Sequence, residues 1–180
     1  MSSLSDRQLL QGVARQEERS LTELYERHST SLYNYLFRLV NRWDVAEELL
    51  QEVFLVAWES AASFRGRAKV TTWLFRIAHH KAVDWLRKKR PDRLERVDWL
   101  PADDSPEKEV FDAWTMEQIQ AALEQLSAKH RAVIELAFLD GLSYHEVARI
   151  VDCPVGTVKS RVCYARRYLR RTLEQMGVDW

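Results

Sequence analysis

Apolar residues recur every three or four positions through most of the first half of the chain, the spacing that lines one face of a helix. Leu21, Leu24, Tyr25 and His28 share a stripe, and Leu32, Tyr35, Leu36 and Leu39 share another. A further run gathers Val45, Ala46, Leu49, Leu50, Val53, Phe54, Ala57 and Trp58 on one side, with Glu47, Glu48, Gln51, Glu52 and Glu59 opposite. Asp44 stands where it can cap a helix beginning at Val45. Residues 63–70, with Gly66 among them, break the pattern. One helix is predicted from about Thr71 through Ile77, and another carries Ala82, Val83 and Leu86 and ends in Arg87 to Arg90 before Pro91.

Beyond Pro91 the periodicity lapses until about Asp112. The stretch holds Pro91, Pro101 and Pro106, three of the chain's 4 prolines, and the acids Asp92, Glu95, Asp98, Asp103, Asp104, Glu107, Glu109 and Asp112. It reads as an acidic, flexible linker, with Trp99 and Leu100 as apolar residues able to dock. Helical patterning returns at Ala113, with Ile119, Leu123 and Leu126 on a stripe continued by Val133, Leu136 and Ala137. The expected architecture is all-α: two small helical domains, residues 5–91 and 113–176, joined by a linker at 92–112. The scarcity of turn-forming residues, 5 glycines and 4 prolines, agrees with it.

The second domain has the sharper local signal. Asp140-Gly141-Leu142-Ser143 is a turn leading into a helix, and Ser143 with Glu146 has the spacing of a capping box. Asp152-Cys153-Pro154 then breaks the chain, and Pro154 suits the start of a new helix. That helix sets Val158, Val162, Ala165 and Leu169 on its inner face and Lys159, Ser160, Cys163, Tyr164 and Arg167 on another. A short helix, a tight turn and a longer basic helix make a helix-turn-helix, whose second helix fits the major groove of duplex DNA.

Charge sharpens this reading. Lys plus Arg and Asp plus Glu both number 27, so the total says nothing of a polyanionic partner. The distribution does. Arg65, Arg67, Lys69, Arg76, Lys81 and Arg87 to Arg90 are opposed only by Asp84, and Lys159, Arg161, Arg166, Arg167, Arg170 and Arg171 by no acid. Two basic blocks flanking an acidic stretch point to two nucleic-acid surfaces on separate units.

The string Asp140-Gly141-Leu142-Ser143-Tyr144 through Pro154-Val155-Gly156-Thr157-Val158-Lys159-Ser160-Arg161 resembles region 4 of the extracytoplasmic-function (ECF) RNA polymerase sigma factors, of the sigma-70 superfamily. The first domain agrees. Ala46-Glu47-Glu48-Leu49-Leu50-Gln51-Glu52-Val53-Phe54 is similar to the family's region 2.2, and Phe64-Arg65-Gly66 with Thr72-Trp73-Leu74-Phe75-Arg76-Ile77-Ala78 to its regions 2.3 and 2.4. The resemblance implies a promoter-specific initiation factor, not an enzyme. Its implied partners are core RNA polymerase (β′ clamp and β flap), promoter DNA and an anti-sigma factor. It implies polymerase contacts at Glu48, Gln51 and Glu52. It implies −10 contacts at Arg65, Trp73, Arg76, His79, His80 and Lys81, the last three on a loop that pockets a flipped base. It implies −35 contacts at Lys159, Ser160, Arg161, Cys163, Tyr164 and Arg167. Many relatives are more basic where this chain has Cys163-Tyr164, so a different −35 sequence is expected.

The chemistry suits strand opening. Each base-pair step opened costs about 1.4 kcal/mol of stacking, and each base stacked on an aromatic ring returns roughly 1–3 kcal/mol. Phe64, Trp73, Phe75 and Trp85 are interleaved with cations in this segment, some of them as core.

Other classes fare worse. A conventional helix-turn-helix regulator of duplex DNA explains the second domain and leaves the first unexplained. A nucleic-acid enzyme would need paired carboxylates, a metal cluster or a phosphate-binding glycine loop, and none is evident. His145-Glu146 begins like a zinc-protease helix, but Arg149 stands where the second histidine would be, so neither metal nor cofactor is expected. Cys153 and Cys163 make no disulfide framework, no apolar run suits membrane insertion, and Met1 to Gly12 lacks a signal-peptide core, so a cytoplasmic location is expected.

Overall fold

The computed structural model describes residues 4–89 and 116–175. The expected linker, including Trp99 and Leu100, lies outside the described residues. Among those described, every regular element is helical.

The first half comprises α1 (Asp6–Ala14), α2 (Glu18–Val40), α3 (Trp43–Ser60) and α4 (Val70–Lys89). Ser5 and Gln8 close a capping box at the start of α1. Asn41, at φ 53°, ends α2 in the left-handed conformation that asparagine tolerates. Helix α3 begins two residues before the predicted start, and Arg42 occupies the cap without a side-chain hydrogen bond. Asp44 therefore lies inside the first turn, where it pairs with Arg42 and favours the positive end of the helix dipole. A 3₁₀ turn (Ala61–Ser63) and a loop with Gly66 at φ 68° lead into α4.

The two helices predicted between Thr71 and Arg90 are one continuous helix, α4. Nothing between Ile77 and Ala82 is a helix breaker, and Leu74, Ala78, Ala82 and Leu86 keep a buried stripe running along its length. The leucine, valine and aromatic stripes of the four helices interlock around Tyr35, Leu24, Leu32, Leu36 and Leu74, all fully buried.

The second half contains α5 (Met116–Gln125), α6 (Ala128–Ile134), α7 (Tyr144–Ile150) and α8 (Val155–Gln175). Helix α6 widens at its end into a π-type turn over Glu135–Leu139, closed by Asp140 N–H donating to the Glu135 carbonyl at 3.0 Å. The expected capping box opens α7: the Ser143 N–H donates to Glu146 at 2.9 Å, and the Glu146 N–H returns to the Ser143 hydroxyl at 3.3 Å. Val147 and Ile150 meet Val158, Val162, Ala165 and Leu169 from α8, which is the packed heart of a helix-turn-helix. The two halves touch, α4 lying against α7 and α2 against α6, and their buried apolar residues form one continuous cluster.

Candidate nucleic-acid interface

Helix α8 presents its outer face to solvent. Lys159, Ser160 and Cys163 are exposed there, one turn apart, while Val158, Val162 and Ala165 are buried beneath. The Ser160 hydroxyl donates to the Thr157 carbonyl at 3.0 Å. Arg161 is half-buried against the turn, with a guanidinium nitrogen 3.8 Å from Cys153 Sγ. Arg167 is also half-buried. Tyr164 departs from the expected outward position. Its ring packs on His130 of α6, centroids 4.3 Å apart, and lies near Tyr168, so an apolar ring flanked by two others is drawn toward the domain.

On α4 the expected −10 residues separate into an outer and an inner set. Trp73, Arg76 and His80 follow one another at helical spacing along one face. Arg76 and His80 are exposed, Arg65 is exposed in the preceding loop, and Trp73 is half-buried against Phe64 with centroids 5.4 Å apart. His79 overturns expectation. It lies mid-helix rather than on a loop, is only 8% exposed, and its Nδ1 is 2.8 Å from the Tyr35 hydroxyl. Burial, with the nearby His80, pushes the His79 pKa down to about 3, so the ring is neutral. Burial and the carboxylates of Glu135 and Asp140 push the Tyr35 phenol well above its usual range, so it keeps its proton. Lys81, expected beside the base, instead donates to Glu52 of α3 at 2.7 Å.

Helix α3 offers Glu48 and Gln51 fully outward and Glu52 at the edge in that ion pair. The sequence reading passed over Leu55, 56% exposed on the same face, and Trp43, 65% exposed at the helix start. The signal was present: Leu55 falls four residues after Gln51, an apolar residue on the polar side of the periodicity. Also missed was a charge cluster joining the halves. Glu135, fully buried, accepts from Arg131 at 2.8 Å and from Arg38 at 3.2 Å, and Arg38 also donates to Asp140 at 2.9 Å. Burial raises the Glu135 carboxyl pKa, and the two guanidinium groups oppose that rise.

A helix-turn-helix with an open basic face and a helical bundle with a cationic, aromatic face are thus present in one chain. The model for sigma-70 region 2 matches residues 24–91, and that for sigma-70 region 4 matches residues 116–169. The chain is 31% identical over 185 residues to the ECF RNA polymerase sigma-E factor of Haemophilus influenzae, spanning 96% of this chain and 97% of that one. It is 35% identical over 174 residues to the ECF RNA polymerase sigma factor SigL of Mycobacterium tuberculosis, spanning 93% and 96%. The chain belongs to the ECF RNA polymerase sigma factors. Solved structures of similar chains agree in fold. CnrH, determined in complex with the cytosolic domain of CnrY, matches with a TM-score of 0.73 at 25% identity over 94% of this chain and 97% of that one. The sigma factor RpoE of Bartonella quintana, determined with the anti-sigma factor NepR, matches with 0.67 at 27% identity over 85% and 96%. In this ECF sigma factor, no helix among the described residues is long and apolar enough to cross a membrane, and no group of His, Cys, Asp or Glu there is placed to hold a metal ion.

Proposed function

We propose that residues 5–91 act as the polymerase-docking and −10 unit of this sigma factor and residues 113–176 as its −35 unit. The observation that carries the reading is the pairing of two matched regions, in family order, with two differently built cationic surfaces. On α8, Lys159, Ser160 and Cys163 meet base edges in the major groove, and Arg161 and Arg167 hold the flanking phosphates. On α4 and its loop, Arg65, Arg76 and His80 grip the backbone of the separated strand beside Trp73. On α3, Glu48, Gln51 and Glu52 ring the exposed Leu55, a charged rim about an apolar centre suited to a basic polymerase surface. Polymerase supplies the chemistry, in the cytoplasm, and a protein partner of the anti-sigma kind restrains the factor, as NepR is bound by its relative.

Run-off transcription with bacterial core polymerase on a genomic promoter library tests the reading and yields both recognition elements. Lys159→Ala should lower initiation at the chain's own promoters roughly tenfold, the effect of losing about 1–3 kcal/mol of base discrimination. Binding to core polymerase should not change. An equal fall in core binding would refute the assignment of α8.

A further inference from the structure

The start of α1 brings a cation to the loop that leads into α4. Asp6 accepts from Arg27 of α2 at 2.9 Å and lies 2.8 Å from His28 Nε2, and Gln8 is tied to Ser5 in the capping box. Both neighbours of Arg7 are thereby fixed, and α1 packs against the 3₁₀ turn and against α4. The Arg7 guanidinium lies on Gly66: a Cβ added to that glycine would stand 3.2 Å from Arg7 Nη2 and 3.5 Å from its Cζ. Glycine suits the position twice over, by its φ of 68° and by this close approach.

Arg65 and Arg67 flank Gly66, and both are exposed, as is Arg7. None of the three side chains pairs with a carboxylate among the described residues, whereas Asp6 is engaged by α2 and Lys69 is held by Glu146 at 2.9 Å. Arg7 also stands in the first turn of α1, where the positive end of the helix dipole opposes a cation. Like charges gathered about one short loop gain nothing from one another, so the grouping does nothing for the fold of the free chain.

We propose that Arg7 is a further strand-binding residue, which with Arg65 and Arg67 holds the phosphate backbone of the separated promoter strand beside Trp73. This rests on the reading of α4 as the strand-binding face. Phe64, the residue before Arg65, packs on Trp73 with centroids 5.4 Å apart, so the loop begins at the ring where a base stacks. A guanidinium is a planar fork matched to two phosphate oxygens. Phosphates carry no sequence information, so the contact adds grip at every promoter alike. Because Asp6 and the capping box hold Arg7 in place beforehand, little ordering is lost when the strand arrives.

The test titrates the full chain with a fluorescent oligothymidine, read by anisotropy from low salt upward. Arg7→Gln, Arg7→Lys, Arg76→Gln and Arg19→Gln are compared with the parent, and an unchanged helical circular-dichroism signal verifies folding. Arg19 is an exposed arginine at the start of α2, beside the opposite end of α1, so its loss removes the same charge elsewhere. Arg7→Gln should make the dependence of log affinity on log salt shallower by about 0.7, a loss of about fivefold at about 0.1 M salt. Arg7→Lys keeps the charge and should retain the parental slope, and Arg19→Gln should retain it too. A parental slope in Arg7→Gln, with a shallower one in Arg76→Gln, overturns the role of Arg7 and leaves α4 standing. Parental slopes in both variants, or a parent that does not bind at low salt, overturn α4 as the strand-binding face as well. A loss in Arg19→Gln as large as in Arg7→Gln means that net charge alone is at work, and overturns the site.

Discussion

His79 shows how far single residues could be read. Adjacent histidines on a helix must face different ways, and here His80 is outside and His79 inside, bonded to Tyr35. Spacing along a continuous helix sets His79 with Phe75 and Ala82 on the inner face, but its partner Tyr35, 44 positions away, is fixed only by the tertiary fold. The exposed residues Lys159, Ser160, Cys163, Arg76 and Glu48 were legible because each sits opposite a regular apolar stripe. Tyr164 and Lys81 were not, since both turn toward partners on other helices, His130 and Glu52. The burial of His79 has a measurable consequence. Its pKa is depressed, to about 3 against 6.5 when unfolded, so between those values the unfolded chain holds a proton the folded one refuses. This contribution to stability is complete above about pH 6.5 and declines as pH falls toward 3. From pH 7 to pH 5 it amounts to roughly 2 kcal/mol. Urea unfolding at the two pH values should show His79→Gln losing less stability than the parent by about that amount. Equal losses would mean that another group is responsible.

At the level of elements, the capping box was the most exact sequence signal. Ser143 and Glu146 are bonded as their spacing predicts, because both partners lie within one turn and need no tertiary context. Boundaries set by absence of a signal fared worse. No Gly or Pro interrupts residues 70–89, yet a break was expected there, and the packing against α3 and α7 keeps the helix whole. The π-type turn after α6 had no local signature, and Glu135 at its start pairs with Arg38 in the other half. Ser143→Ala should destabilise the chain by about 1 kcal/mol, read from the urea midpoint, and Ser143→Thr should restore most of it. Glu146 also meets Lys69, and that pair with the Ser143 bonds holds its pKa down to about 2. Its contribution is therefore present above about pH 4.5 and fades toward pH 2; Lys69→Met should weaken this acid dependence, and an unaltered acid limb would exclude the pair as its source.

For the whole molecule, the all-α, two-domain plan was legible from periodicity and from the acidic, proline-bearing stretch between the basic blocks. The contact between the domains was not, because its charges come from positions as far apart as Arg38 and Asp140 and obey no local spacing. A continuous apolar cluster across both halves makes their unfolding interdependent. Scanning calorimetry should record one transition, and two would show that the halves are energetically separate. The turn carboxylate at Asp152 has a wider bearing. A chromosome is an enormous sink for any protein with bare cations, since random duplex outnumbers true targets by about a millionfold or more. The open cations of α8, Lys159 among them, feel that pull, and the pairing of Arg76 with Asp152 and of Lys69 with Glu146 leaves fewer bare charges to answer it.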